Sequence, residues 1–309
     1  MFKRAVAGIL FSALAVAASP ASAQCSLAKL LEIPVTLVDG RPMTTIKVNG
    51  QDAKFFVNNS VFFNMVHANA AKRLQMAPVD KFGRIEVVDA SRPNANVGVT
   101  RAKTLTAPGL DLKDVDFLTD DGGRDSQVDG SLGQNLLDIG DIEFDLRGGV
   151  VRLLRATACG QTPLAYWEEA KKGYSAMSAS SKNDDHFTIA KATINGQPVN
   201  VLLASGASYS FLTEAGAKRL HLTPPASALR RTGDRVWAPI ATIKLGDEEI
   251  HNTQLPIAKF DLHEAAEQYD MLLGVDFLLS HHVYFAKEQN QIYFTYSGGA
   301  VFAPAPKAP

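Results

Sequence analysis

Cysteine is nearly absent: two residues, Cys25 and Cys159, in a chain of 309. No zinc-type ligand spacing, no phosphate-cradling Walker loop and no G-x-G-x-x-G turn occurs, so metal, nucleotide and dinucleotide chemistry have no sequence support. Charge of either sign is not in excess. Lys and Arg total 31 against 32 Asp and Glu, a net charge of -1. That balance gives no reason to expect a nucleic-acid partner or a strongly charged substrate. Long apolar runs are missing too. The one candidate, Ala5 to Ala18, is too short and too rich in alanine for a comfortable membrane span. What remains is an ordinary globular composition, 46% hydrophobic and 20% charged, at a length that suits two domains.

The N-terminal segment has its own logic. Lys3 and Arg4 precede the apolar run, and Ala21-Ser22-Ala23 forms an A-x-A cleavage site, so residues 1–23 read as a secretory signal peptide. Gln24, just before Cys25, is too bulky and polar for a lipoprotein site. The expectation is a soluble exported protein, periplasmic or secreted. In an oxidising compartment an even pair of cysteines is most simply a Cys25–Cys159 disulfide, with two free thiols as the alternative.

The chain also carries one pattern written twice. Lys47 to Met76 (KVNGQDAKFFVNNSVFFNMVHANAAKRLQM) aligns without a gap on Thr193 to Leu222 (TINGQPVNVLLASGASYSFLTEAGAKRLHL), at a constant offset of 146. Asn49-Gly50-Gln51 meets Asn195-Gly196-Gln197, and Ala71-Lys72-Arg73-Leu74 meets Ala217-Lys218-Arg219-Leu220. In each copy Asn-Gly centres a hairpin turn. A nearly all-apolar strand follows, expected to be buried on both faces. It ends in a turn, and a short helix comes next. Later, Asp129 to Arg155 and Asp270 to Tyr296 repeat a second unit: Leu132-Gly133 or Leu273-Gly274, an apolar helical turn, then a hairpin turning at Gly148-Gly149 or Gln289-Asn290.

An apolar strand running into Asp-Thr/Ser-Gly-Ala, with apolar-Leu-Gly and a short helix further on, is the signature of aspartic proteases. Both halves of this chain resemble the retropepsin-like lobe of that superfamily, and the tandem arrangement resembles bacterial exported proteins of the aspartyl protease family. The resemblance covers nearly all of the chain after residue 23. It implies a mainly β fold, two retropepsin-like lobes about a pseudo-two-fold axis, with a peptide cleft between them. The expected layout is a first lobe over 24–155, an interlobe linker over 156–185 whose Ser/Asn/Asp-rich end reads as a loop, and a second lobe over 186–298. A disordered Pro/Ala tail would follow over 299–309.

In active members each lobe supplies one aspartate, and the pair shares a proton and activates water. Carried onto this chain, the aspartate positions fall on Asn58 and Ala204. The next two positions are Asn59-Ser60 in the first lobe and Ser205-Gly206 in the second. Neither catalytic carboxylate is present; the first motif has lost all three signature residues and the second has lost one. The resemblance therefore implies a pseudoprotease that binds a peptide or protein ligand in the cleft, with no cofactor and no metal. Two other readings stand beside it: an aspartic endopeptidase whose aspartates were replaced in this variant, and an exported assembly module with no cleft ligand.

Other residues weigh less. Trp237, in GDRVWAPIATIKLGDEEI, is either a cleft-covering flap aromatic or part of the lobe core; the first-lobe flap would lie near GRIEVVDASRPNANVGV. Asp129 and Asp270 are expected to cap a turn or the following helix rather than replace the missing carboxylates. His281 and His282 are adjacent on a strand and point to opposite faces, which prevents them from chelating one ion.

Overall fold

The computed structural model describes residues 24–79, 97–120, 127–168, 173–181, 187–222, 231–232, 235–258 and 269–302. The expected signal peptide and most of the expected first-lobe flap lie outside these residues. The first half runs β1 (Ser26–Pro34), β2 (Thr36–Val38), β3 (Arg41–Val48), β4 (Gln51–Val57), β5 (Met65–His67), α1 (Ala68–Arg73), β6 (Ala77–Pro78), β7 (Val97–Ala107), β8 (Leu110–Asp120), β9 (Gly130–Leu132), α2 (Gln134–Leu137), β10 (Asp141–Asp145) and β11 (Val150–Thr157). The second half runs β12 (Ser175–Ser181), β13 (Thr188–Ile194), β14 (Gln197–Leu203), β15 (Phe211–Thr213), α3 (Glu214–Arg219), β16 (Arg231–Thr232), β17 (Arg235–Leu245), β18 (Glu248–Ala258), β19 (Met271–Leu273), α4 (Val275–Ser280), β20 (His281–Ala286) and β21 (Gln291–Tyr296).

The sequence repeat is a structural repeat. Strands β3-β4-β9-β5-β8-β7 form a cycle closed by β3 on β7, and β13-β14-β19-β15-β18-β17 form its counterpart, closed by β13 on β17. Closure removes sheet edges and gives each half a barrel interior to fill. Asn49-Gly50 and Asn195-Gly196 make the predicted turns, with positive φ at both residues (50° and 80°, 48° and 77°). Two residues of positive φ match the twist of the flanking strands, which is why Asn-Gly stands there. Strands β4 and β14 are buried throughout only at their last three residues, Phe55–Val57 and Val201–Leu203; the earlier residues include exposed ones. A parallel partner, β9 or β19, covers those C-terminal ends.

The halves are joined by the ladder β1-β11-β10-β20-β21-β12. The central pairing is β10 with β20, one strand from each half. Phe144, Phe285, Val283 and Phe294 are buried along this sheet. The Ser-rich end of the 156–185 segment, expected as a loop, is strand β12 from Ser175 to Ser181. It pairs with both β21 and β13. Local composition disfavours the strand, but two ready ladders satisfy its backbone, and Met177 is buried in the core. The first residues of the expected tail, 299–302, lie within the described residues. Phe302 is buried in the same core, while 303–309 lie outside the described residues.

Cys25 and Cys159 form the disulfide. It clamps the entry to β1 onto the exit of β11, across a sequence separation of 134. Loop entropy assigns such a link about 5 kcal/mol, and measured values are typically about 2–4 kcal/mol. Cys159→Ser should therefore lower unfolding stability by about 2–4 kcal/mol. Reductant should lower the melting temperature of the parent chain and leave that of the variant unchanged.

Candidate functional site

Two loops leave the tips of β4 and β14 and meet between the halves. Each tip is held by its parallel neighbour: Asn58 N donates to Leu132 O and Ala204 N donates to Leu273 O, both at 2.9 Å. The second residue of each loop reaches across to the other. Asn59 N donates to Ser205 Oγ at 3.1 Å, and Ser205 Oγ donates to Val57 O at 2.8 Å. In return Ser205 N donates to Asn59 Oδ1 at 2.7 Å, and Asn59 Nδ2 donates to Leu203 O at 3.0 Å. Ser205 Oγ also lies 3.0 Å from Asn59 Oδ1. Each side chain accepts from the facing backbone N–H and donates to the carbonyl that precedes the facing strand tip. An amide does this as well as a hydroxyl, because Asn carries an acceptor and a donor on one short side chain. Asn59 and Ser205 are 3% and 0% exposed, so these bonds act without competing water.

Above this tie lie the first residues of each loop. Asn58 Oδ1 accepts from Ser60 N at 3.0 Å and from Ser60 Oγ at 2.6 Å. Its amide lies across Gly206, where a β-carbon would have to displace it; glycine leaves room for this close approach. Ala204 is fully buried. Among residues 58–60 and 204–206 no side chain titrates near neutrality.

A second layer supports the loops. In the second half Ser210 Oγ donates to Asp276 Oδ1 (2.6 Å) and accepts from Gly274 N (2.9 Å). In the first half Asn64 Oδ1 accepts from Gly133 N (2.8 Å), and Asn135 Oδ1 accepts from Asn64 N (2.9 Å). Gln134 Nε2 adds a bond to Asn59 O at 2.7 Å. These residues escaped the sequence reading. The repeat offset, which pairs Asn64 with Ser210, is the signal that could have found the first of them.

The remaining candidates sit elsewhere. Asp129 and Asp270 are equivalent, but they cap no helix. Their Oδ2 atoms accept from Lys54 N and Asn200 N, and the carboxylates pair with Arg73 and Arg219. This explains the repeated Ala-Lys-Arg-Leu segment: its arginine anchors the helix to the strand. Trp237 lies on β17 and is buried. Its neighbours Ala238 and Ile240 fill the core, so strand alternation points its ring to the other face. Its Nε1 has no hydrogen-bond partner.

His281 and His282 diverge as expected. His281 bonds Phe277 O and Glu248. His282 stacks on Trp167 and bonds Glu143 at 2.9 Å. Glu143, fully buried, also receives Arg152 and the Tyr166 hydroxyl. Burial pushes its carboxyl up, but the hydrogen bonds from His282 and Tyr166 and the His282 charge outweigh that and hold it below the usual glutamate range. This cluster lies beside a cavity of about 840 Å³ lined by Trp167, Tyr166, Arg152 and Leu27. The loop residues line no part of that cavity. Among the described residues no group of three His, Cys, Asp or Glu is placed to hold a metal ion, and no helix is long and apolar enough to cross a membrane.

Residues 190–277 match the family model described as aspartyl protease. Over those residues the chain is similar to the aspartyl protease family. The match contains the second strand-tip loop and the Leu273-Gly274 element. Basic 7S globulin from soybean shares the fold at 9% identity and a TM-score of 0.50, over 92% of this chain and 99% of that one. Conglutin gamma, a basic 7S globulin from lupine seeds, does so at 10% identity and a TM-score of 0.50, over 89% and 96%. A retropepsin-like aspartic protease from Rickettsia conorii aligns at 18% identity over 43% of this chain and 96% of its own, with a TM-score of 0.32. No curated protein sequence matches. Proteins named as globulins carry the same two-lobed fold, so the fold alone does not assign an activity.

Proposed function

We propose that this protein is a catalytically degenerate aspartyl-protease relative. It is exported, and it binds an extended peptide or a segment of a partner protein between its lobes without cutting it. The carrying observation is the contrast within six residues. The tie between the loops is complete through Asn59 and Ser205, while the strand tips, where the family places its two aspartates, hold Asn58 and Ala204. An amide has no pKa near neutrality and takes no proton from water; a methyl group does neither. General acid–base groups are each worth about 10²–10⁴ in rate, and here both members of a coupled pair are missing. Export rests on the N-terminal charge pair, apolar run and cleavage site, and the disulfide supports it.

Asn59 also weighs against a recent replacement of the aspartates. Both ends of its amide are used in the interlobe tie, which is how a substitution looks after the surrounding loop has adapted to it. Extended peptides would bind by main-chain hydrogen bonds to strand and flap edges. The test is retention of octapeptides from a random pool on the immobilised protein, with mass spectrometry of what is released. Peptides retained and recovered at full length are the expected result. Peptides recovered as fragments, with new termini at one preferred position, would overturn the reading.

A further inference from the structure

The cavity of about 840 Å³ beside the Glu143 cluster has no part in the reading above. Its walls come from β1, β10, β11, β20 and the 156–168 segment, so it lies on the sheet that joins the halves and is not lined by the strand-tip loops. Its volume is that of a small-molecule site. Leu27, Leu154, Leu164 and Trp167 give it apolar surface. Trp167 is held twice over. Its Nε1 donates to Thr295 Oγ1 at 2.5 Å, and the His282 ring stacks on it at 3.9 Å, within 6° of parallel. A wall fixed in this way loses little freedom when a ligand arrives.

The charged side chains that line the cavity neutralise one another. Glu32 Oε2 accepts from Lys29 Nζ at 3.0 Å and from Arg152 Nε at 2.9 Å. Arg152 Nη1 bonds the buried Glu143 and lies 3.8 Å from Asp145 Oδ2. His282 Nε2 meets Glu143 at 2.9 Å. An anion entering the cavity would find Arg152 already shared among three carboxylates. A cation would find Glu32 already held between two cations. Either would lose water without gaining a free counter-charge. An uncharged apolar molecule meets no such cost and gains contact with the four apolar side chains.

We propose that this cavity is a binding site for a small, uncharged, largely apolar molecule. The site is separate from the interlobe cleft and does not depend on a peptide binding there.

The probes are octanamide, octanoate and octylamine, which share one length of chain and are neutral, anionic and cationic at about pH 7. Calorimetry on the full chain should show octanamide binding once per chain, at least about tenfold more tightly than either charged analogue. Two further readouts place the ligand. The chain has two tryptophans, so Trp237→Phe leaves Trp167 as the one indole emitter, and its emission should shift and saturate along the calorimetric isotherm. Leu27→Glu, at a half-buried position of β1, should weaken octanamide by at least about tenfold. Leu37→Glu, at an exposed position of β2 outside the cavity, should leave its affinity unchanged. Absence of octanamide binding, equal or tighter binding of a charged analogue, or binding that neither shifts Trp167 emission nor responds to Leu27→Glu overturns the proposal. The emission readout decides the location where Leu27→Glu does not fold, and the analogue comparison needs only the parent chain.

Discussion

Asn59→Ala destabilises the protein by about 2–5 kcal/mol, and Asn59→Thr by less than about 1 kcal/mol. The alanine variant strands Ser205 N and removes the donor to Leu203 O in a site closed to water. Each buried group left unpaired costs about 1–3 kcal/mol. Threonine restores one acceptor and one donor at nearly the same reach. Ser205→Ala removes the facing half of the tie and should cost a similar amount. The double variant should cost less than the sum, because the two side chains share partners. Urea unfolding of the parent and the four variants measures this. Equal losses for Asn59→Ala and Asn59→Thr would mean that the amide merely fills space.

The second large effect is at Glu143. Glu143→Ala should cost about 3–5 kcal/mol at neutral pH, the usual result of breaking a buried charge cluster from one side. It leaves Arg152, His282 and Tyr166 without their shared acceptor. These groups come from β11, β20 and the 156–168 segment, so the loss falls on the junction of the two halves. The sign with pH follows from the lowered carboxyl. Its contribution is complete above the unfolded value near 4.5 and disappears as pH falls through the lower folded value. The carboxylate's share of the stability gap between parent and Glu143→Gln should therefore shrink as pH falls below about 5. A gap that widens below about pH 5 contradicts the assignment.

The repeat was legible because its anchors are chemically forced: Asn-Gly by turn geometry, the buried strand ends by core packing, and Leu-Gly by the close approach of the loop backbone. Those anchors carry the two-lobed β fold. Asn59 was legible as a position but misread as a loss. Comparing residue identities with a motif hides the fact that an amide has the same donor and acceptor as the hydroxyl it replaces. Strand β12 was not legible, since its composition is that of a loop and one of the two partners that make it a strand, β21, lies far off in sequence. Glu143 was hidden for the same reason. It stands between Ile142 and Phe144 in β10, and the groups that hold it are 9, 23 and 139 residues away.

Peptide hydrolysis tests the central claim most directly. The purified chain, incubated with a casein-derived peptide mixture from about pH 3 to pH 8, should generate no product above the buffer background, at least about 10⁴-fold below a carboxylate dyad, and pepstatin should change nothing. Cleavage that copurifies with the protein, passes through an optimum in pH and stops with pepstatin would contradict it.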